Sequence, residues 1–148
     1  MSMKVFVAQT HERDRSPLCD FLKASGLNAT PHATDGISLT WLTRELWFIR
    51  EPAVIVTSQR DLIGCDYLSN ILHAVALNLP VKTLTIVYSK ALANQSHMPG
   101  IVSYLTKMHG NDSHQLKFVP KISDDNREIE HGIIVQSIND FAQQLTPV

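Results

Sequence analysis

The sequence predicts an α/β fold of three layers, with helices on both sides of a five-stranded parallel sheet. Three observations carry that expectation. Short apolar runs rich in β-branched residues alternate five times with helix-like stretches. The connections are short, so each strand is tied to the next by a right-handed crossover. One run, Pro52-Ala-Val-Ile-Val-Thr57-Ser58, is apolar at successive positions rather than alternate ones. A strand covered on both faces has that pattern, and such strands lie at the centre of parallel sheets.

Taken in order, Lys4–Ala8 is the first strand and Gln9–Arg15 a polar loop carrying Glu12, Arg13, Asp14 and Arg15. Ser16-Pro17 supplies an N-cap and a first-turn proline. The helix they open carries Leu18, Phe21, Leu22 and Ser25 on one face, and Gly26 stops it. The second strand falls around Leu27–His32, at an edge of the sheet because Pro31 has no N–H to pair. Thr34 or Asp35 caps a helix with Leu39, Leu42 and Leu46, which ends before Pro52.

After the central strand, Ser58–Gly64 is expected as a loop. Leu68, Ile71, Leu72, Val75 and Leu79 then form the clearest amphipathic stripe in the chain, closed by Pro80. Thr83–Tyr88 is the fourth strand and Ala91–His97 a loop. Pro99 opens a helix with Ile101, Tyr104, Leu105 and Met108, stopped by Gly110. Gln115–Val119 is the fifth strand, Ser123–Arg127 a loop, and Ile134, Ile138, Phe141 and Leu145 mark the last helix. Five such units suit the flavodoxin-like strand order 2-1-3-4-5, which also puts the second strand at an edge.

Composition narrows the function. The 148 residues suit one domain, with the option that it is the N-terminal domain of a longer regulator. At 44% hydrophobic and 18% charged, the chain fills a core. A formal net charge of −1 gives no basic surplus for gripping phosphate backbones, so nucleic acid is not expected as a direct partner. Cys19 and Cys65 are too few for a disulfide framework and match no metal spacing, which suits a reduced, cytoplasmic protein. No signal-peptide pattern and no membrane-spanning run is present.

Three motifs resemble the receiver domain of two-component response regulators. Arg15-x-x-Leu18-x-x-x-Leu22-x-x-x-Gly26 is similar to the first receiver helix and its exit. Ala33-x-Asp35-Gly36 resembles the turn into the second helix, and Glu51-Pro52-Ala-Val-Ile-Val the lead into the third strand. These are packing and turn positions within the first 60 residues. The resemblance implies a receiver fold and a role in signal transduction and transcription regulation.

It also implies a site, and here the chain departs from the pattern. A receiver holds Mg²⁺ with acidic residues after its first strand; this chain has Gln9 and Thr10. The phosphoryl acceptor of a receiver is an aspartate ending the third strand; here Ser58 stands there, with Thr57 beside it. Ser89 corresponds to the family's switch hydroxyl, and Lys121 to its lysine with the register shifted by one or two. The expectation is a pseudo-receiver that keeps the fold without aspartyl phosphorylation, needs no metal and no cofactor, and acts by binding a protein partner, an attached output domain or a second copy. The face for that contact is expected around 98–118, through Tyr104, Met108 and Phe118, with Met98 and Lys117 nearby.

Two enzymatic readings stand beside it. Thr57–Ala74 resembles the matching segment of NADPH-dependent flavin reductases, with Asn70 in the corresponding region. However, the Gln9–Arg15 loop has no glycine to bring backbone close to a phosphate. The layout also resembles TIR domains around Cys65, whose NAD-cleaving members use a glutamate in the following helix; residues 61–78 contain none. Asp61, Glu12 and Asp14 are expected to be solvated loop charges, and at least five of the seven histidines surface or turn residues. Cys19 and Cys65 are expected as small buried side chains. Of Trp41 and Trp47, one is expected in the core, and an exposed one would mark an interface. Ser58 is the one plausible nucleophile position, without the glycines of a nucleophile elbow.

Overall fold

The computed structural model describes residues 3–79, 81–89, 114–120 and 127–145. Five strands, β1 (Lys4–Ala8), β2 (Asn28–His32), β3 (Ala53–Ser58), β4 (Thr83–Ser89) and β5 (His114–Pro120), form one sheet of order β2-β1-β3-β4-β5. Every pairing is parallel. This is the flavodoxin-like arrangement that the five alternations predicted. β2 lies at an edge, where Pro31 falls opposite Val7; His32 turns its carbonyl to the β1 side, so the proline nitrogen faces away from the sheet and no ladder bond is lost.

Strand alternation sorts the core into two clusters. Phe6, Ala8, Ile55 and Val87 face α2 (Gly36–Phe48), the short α3 (Gln59–Gly64) and α4 (Asp66–Asn78) through Leu39, Leu42, Leu46, Leu62, Leu68, Leu72 and Val75. Val5, Val7, Val54, Val56 and Ile86 face α1 (Glu12–Ala24) and the last helix, α5 (Arg127–Leu145), through Leu18, Leu22, Ile134, Ile138 and Phe141. The helix expected at 99–109 lies outside the described residues.

Two expectations about local structure are corrected. Helix α1 begins at Glu12, with His11 as N-cap, so Pro17 lies inside the helix rather than at its first position. A proline there removes the N–H that would bond the carbonyl four residues back. That carbonyl belongs to Arg13, and Arg127 of α5 donates to it from Nη1 at 3.2 Å. Arg127 also pairs with Asp14 at 3.3 Å. The tertiary contact thus supplies the donor that proline lacks. At its other end α1 closes with Gly26 at φ +86, where the N–H of Gly26 bonds Lys23 and that of Leu27 bonds Leu22.

The second correction is the stretch after β3. It is helix α3, not a loop, followed at once by α4 across Cys65. Ser58 caps it by accepting the Asp61 N–H at 3.1 Å. Ser58-x-x-Asp61 is a shortened capping box, and an aspartate three residues past a serine is the sequence signal that marks it.

A prediction follows from the Pro17 bypass. Arg127→Ala should destabilise the fold by about 1 kcal/mol. In a Pro17→Ala background Arg13 regains a helical donor, so the loss should shrink. Urea midpoints of the four proteins form the double-mutant cycle that checks this; equal losses in both backgrounds would refute the bypass.

Candidate functional site

In an open parallel sheet, loops diverge where the chain reverses its direction of winding, here between the carboxyl ends of β1 and β3. The side chains gathered there come from four elements. Gln9 and Thr10 follow β1, Ser58 ends β3, Asp61 lies one turn into α3, and Tyr88 pairs with Ser58 in the β3–β4 register.

The crevice is knitted by its own hydrogen bonds. Ser58 donates its hydroxyl to Asp61 Oδ2 at 2.7 Å, and the Thr10 N–H donates to Asp61 Oδ1 at 3.3 Å. Asp61 thereby joins the ends of β1 and β3. It is 7% exposed, so it is not the solvated loop charge expected from the sequence. The reason is that α3 turns position 61 inward, over the strand ends. Arg15 donates to the Gln9 carbonyl and, at 3.4 Å, to that of Thr10. The Thr10 hydroxyl meets that of Thr34 at 2.7 Å. Asp14 is half-buried in its pair with Arg127, while Glu12 is exposed.

Electrostatically the crevice is mixed. Burial pushes the Tyr88 phenol well above its ordinary value, and the negative charges of Asp61, Asp14 and Glu130 push it further. Tyr88 is therefore a neutral phenol at any physiological pH. Ser58 has only Asp61 as a side-chain partner among the described residues. That partner is a carboxylate, and no described imidazole is hydrogen-bonded to Ser58 as in a Ser–His–Asp relay. Gln9 Oε1, Thr57 Oγ1 and Gln59 Oε1 are buried around the same strand ends without a partner among the described residues. Gln59 was not singled out by sequence, because only the α3 start buries it.

Among the described residues, no group of three or more His, Cys, Asp or Glu is placed to hold a metal ion. No described helix is long and apolar enough to cross a membrane. Ser89 ends β4; Lys121 lies outside the described residues, as do Tyr104, Met108 and Met98. Phe118 is half-buried in β5 and packs with Leu116 against the α2–α4 side of the core, while Lys117 is exposed. Cys19 is buried, as expected, and Cys65 half-buried; both are free thiols. Of the described histidines, His114 and His131 are buried.

A second feature lies on the helical layer. Leu46, Trp47, Tyr67, Ile71 and Val75 line a groove of about 440 Å³ between α2 and α4, with Asn70 at its wall. Neither tryptophan enters the core: Trp41 is 56% and Trp47 47% exposed. Leu39, Leu42 and Leu46 already fill the sheet-facing side, and neither tryptophan shares their helical face. Ile37, Phe48 and Tyr67 are exposed beside them.

Searches of family profiles, of curated proteins and of solved structures find no match to this chain.

Proposed function

We propose that the chain is a receiver-like regulatory domain of the cytoplasm that works by binding protein and carries no phosphoryl chemistry. The observation that carries this reading is the aromatic surface on α2 and α4. Ile37, Trp41 and Phe48 are exposed on one side of α2, and Trp47 and Tyr67 line the groove between α2 and α4; exposed apolar surface of that kind marks interaction sites. The strand-end crevice supports it from the other side. Its acid, Asp61, is spent on Ser58 and on the Thr10 N–H, and glutamine and threonine stand where a receiver places metal-binding acids.

The test is intact-mass analysis after acetyl phosphate treatment with Mg²⁺, together with the absorbance of the purified protein. The expected result is an unchanged mass and no flavin band. An added phosphoryl group that hydroxylamine removes would identify an acyl phosphate, with Asp61 as its first candidate, and would overturn the reading. Co-purified flavin would overturn it in favour of the reductase-like alternative.

A further inference from the structure

The groove between α2 and α4 is narrow in its chemistry. Each helix gives it a stripe at helical spacing, Thr43 and Trp47 from α2 and Tyr67, Asn70 and Ala74 from α4. Thr43 and Ala74 are small, so the helices leave room where larger side chains would meet. Leu46, Ile71 and Val75 are buried beneath that room. The Tyr67 hydroxyl meets that of Thr40 at 3.4 Å, one turn before Thr43, and so bridges the helices at that end. The lining carries no charged side chain, and its polar groups are spent but for one. Thr43 donates to the Leu39 carbonyl at 2.8 Å, and the Tyr67 hydroxyl is at Thr40. The Asn70 carboxamide is exposed at the wall and has no hydrogen bond among the described residues.

We propose that this groove is a binding site for a small, planar, uncharged aromatic molecule of one or two rings with one hydrogen-bonding edge. Its size selects a small molecule. The volume of about 440 Å³ is that of a small-ligand site rather than of a macromolecular trough. The lining runs over residues 43–47 of α2 and 67–75 of α4, about 6 Å and about 12 Å at the helical rise. A docked helix needs a longer bed, and the Tyr67–Thr40 bridge blocks a chain laid along this one. The lining selects the chemistry. An ion would lose water here and find no opposite charge, so the occupant is neutral. The rings of Trp47 and Tyr67 favour a flat aromatic partner, stacked or edge-on. Asn70 offers one acceptor and one donating amide side by side, which suits a ring edge bearing the complementary pair. The inference goes beyond the protein-binding reading and does not need it, because Ile37, Trp41 and Phe48 are not part of the groove.

Titration with N-phenyl-1-naphthylamine, an uncharged two-part aromatic probe that brightens in apolar surroundings, tests the proposal. One molecule should bind per chain by equilibrium dialysis, with a Kd in the micromolar range. Ala74→Leu fills the groove and should weaken binding by about ten-fold or more, and Trp47→Ala should do so by about ten-fold. Trp41→Phe lies outside the groove and should leave the affinity unchanged. In that variant Trp47 is the sole tryptophan, and its emission should fall as the probe binds. The sulfonated analogue 1-anilinonaphthalene-8-sulfonate should bind about ten-fold more weakly, because its charge has no partner. Far-UV circular dichroism should match the wild type in each variant, and Trp47→Ala, at an exposed position, decides the matter if Ala74→Leu does not fold. Unsaturable binding, or an affinity indifferent to Trp47→Ala, would overturn the site. So would a loss caused by Trp41→Phe, which would put the probe on the outside of α2. Equal affinity for the sulfonate would overturn the uncharged class. None of these results bears on the acetyl phosphate measurement, so the absence of phosphoryl chemistry stands or falls separately.

Discussion

Asp61→Ala should destabilise the domain by about 2–4 kcal/mol, read as a lower urea midpoint with an unchanged denaturant slope. Asp61 is a buried acceptor for two donors, the Ser58 hydroxyl at the end of β3 at 2.7 Å and the Thr10 N–H just after β1 at 3.3 Å. Hydrogen bonds to charged groups are the stronger kind, and removing the acceptor leaves both donors unsatisfied. Asp61→Asn keeps a carbonyl oxygen for one of them and should lose about half as much. Ser58→Ala removes the α3 cap as well as one of these bonds, with an expected cost of about 1 kcal/mol. Because Ser58 and Asp61 share bonds, the double variant should cost less than the two single losses together. If Asp61→Ala falls within about 0.5 kcal/mol of the wild type, as surface substitutions do, Asp61 does not brace β1 against β3.

Stability should fall as the pH drops below about 6.5, with His114 as a main cause. This histidine is buried at the start of β5, its Nδ1 2.8 Å from the Thr83 hydroxyl at the start of β4. Burial lowers its proton affinity, and a hydrogen bond to the Leu79 backbone opposes that only in part. Burial lowers His32 in the same direction, where it packs on the Phe6 ring at 5.7 Å. The folded value of each lies below the unfolded value of 6.5. Above 6.5 both states are neutral and the histidines contribute no pH dependence. Below it the unfolded chain binds protons that the folded chain refuses, so the unfolded state gains. The loss for His114 grows by at most about 1.4 kcal/mol per pH unit and levels off below its folded value. Urea midpoints between pH 8 and pH 5 read this directly. His114→Gln should flatten part of the acid limb and His32→Gln a further part. A wild type whose stability is unchanged between pH 7.5 and 5.5 would refute the assignment.

The sheet was legible in the sequence because two-sided burial leaves a mark on every residue of a strand. Val54, Ile55 and Val56 are all fully buried, so all are apolar, and no alternation blurs the reading. The edge position of β2 was legible for a covalent reason, the missing N–H of Pro31. The N-terminus of α1 was not. Ser16-Pro17 is a sound start signal by local chemistry, and it was overridden by Arg127, 114 residues away from the Arg13 carbonyl that it bonds. No local reading contains that donor. The crevice was half legible. Gln9, Thr10 and Ser58 were placed correctly by counting to the ends of strands. Asp61 was misread as solvated because its burial depends on α3 turning it in over the ends of the strands, where it meets Ser58 and the Thr10 N–H.

The two tryptophans mark the boundary most clearly. Sequence gives their hydrophobicity and their six-residue spacing, which is compatible with core or surface for either one. Which side of α2 meets the sheet is decided by Leu39, Leu42 and Leu46 packing on Phe6 and Ile55. Once those leucines are seated, the helix can bury only one face within its own chain, and Trp41 and Phe48 are left on the other.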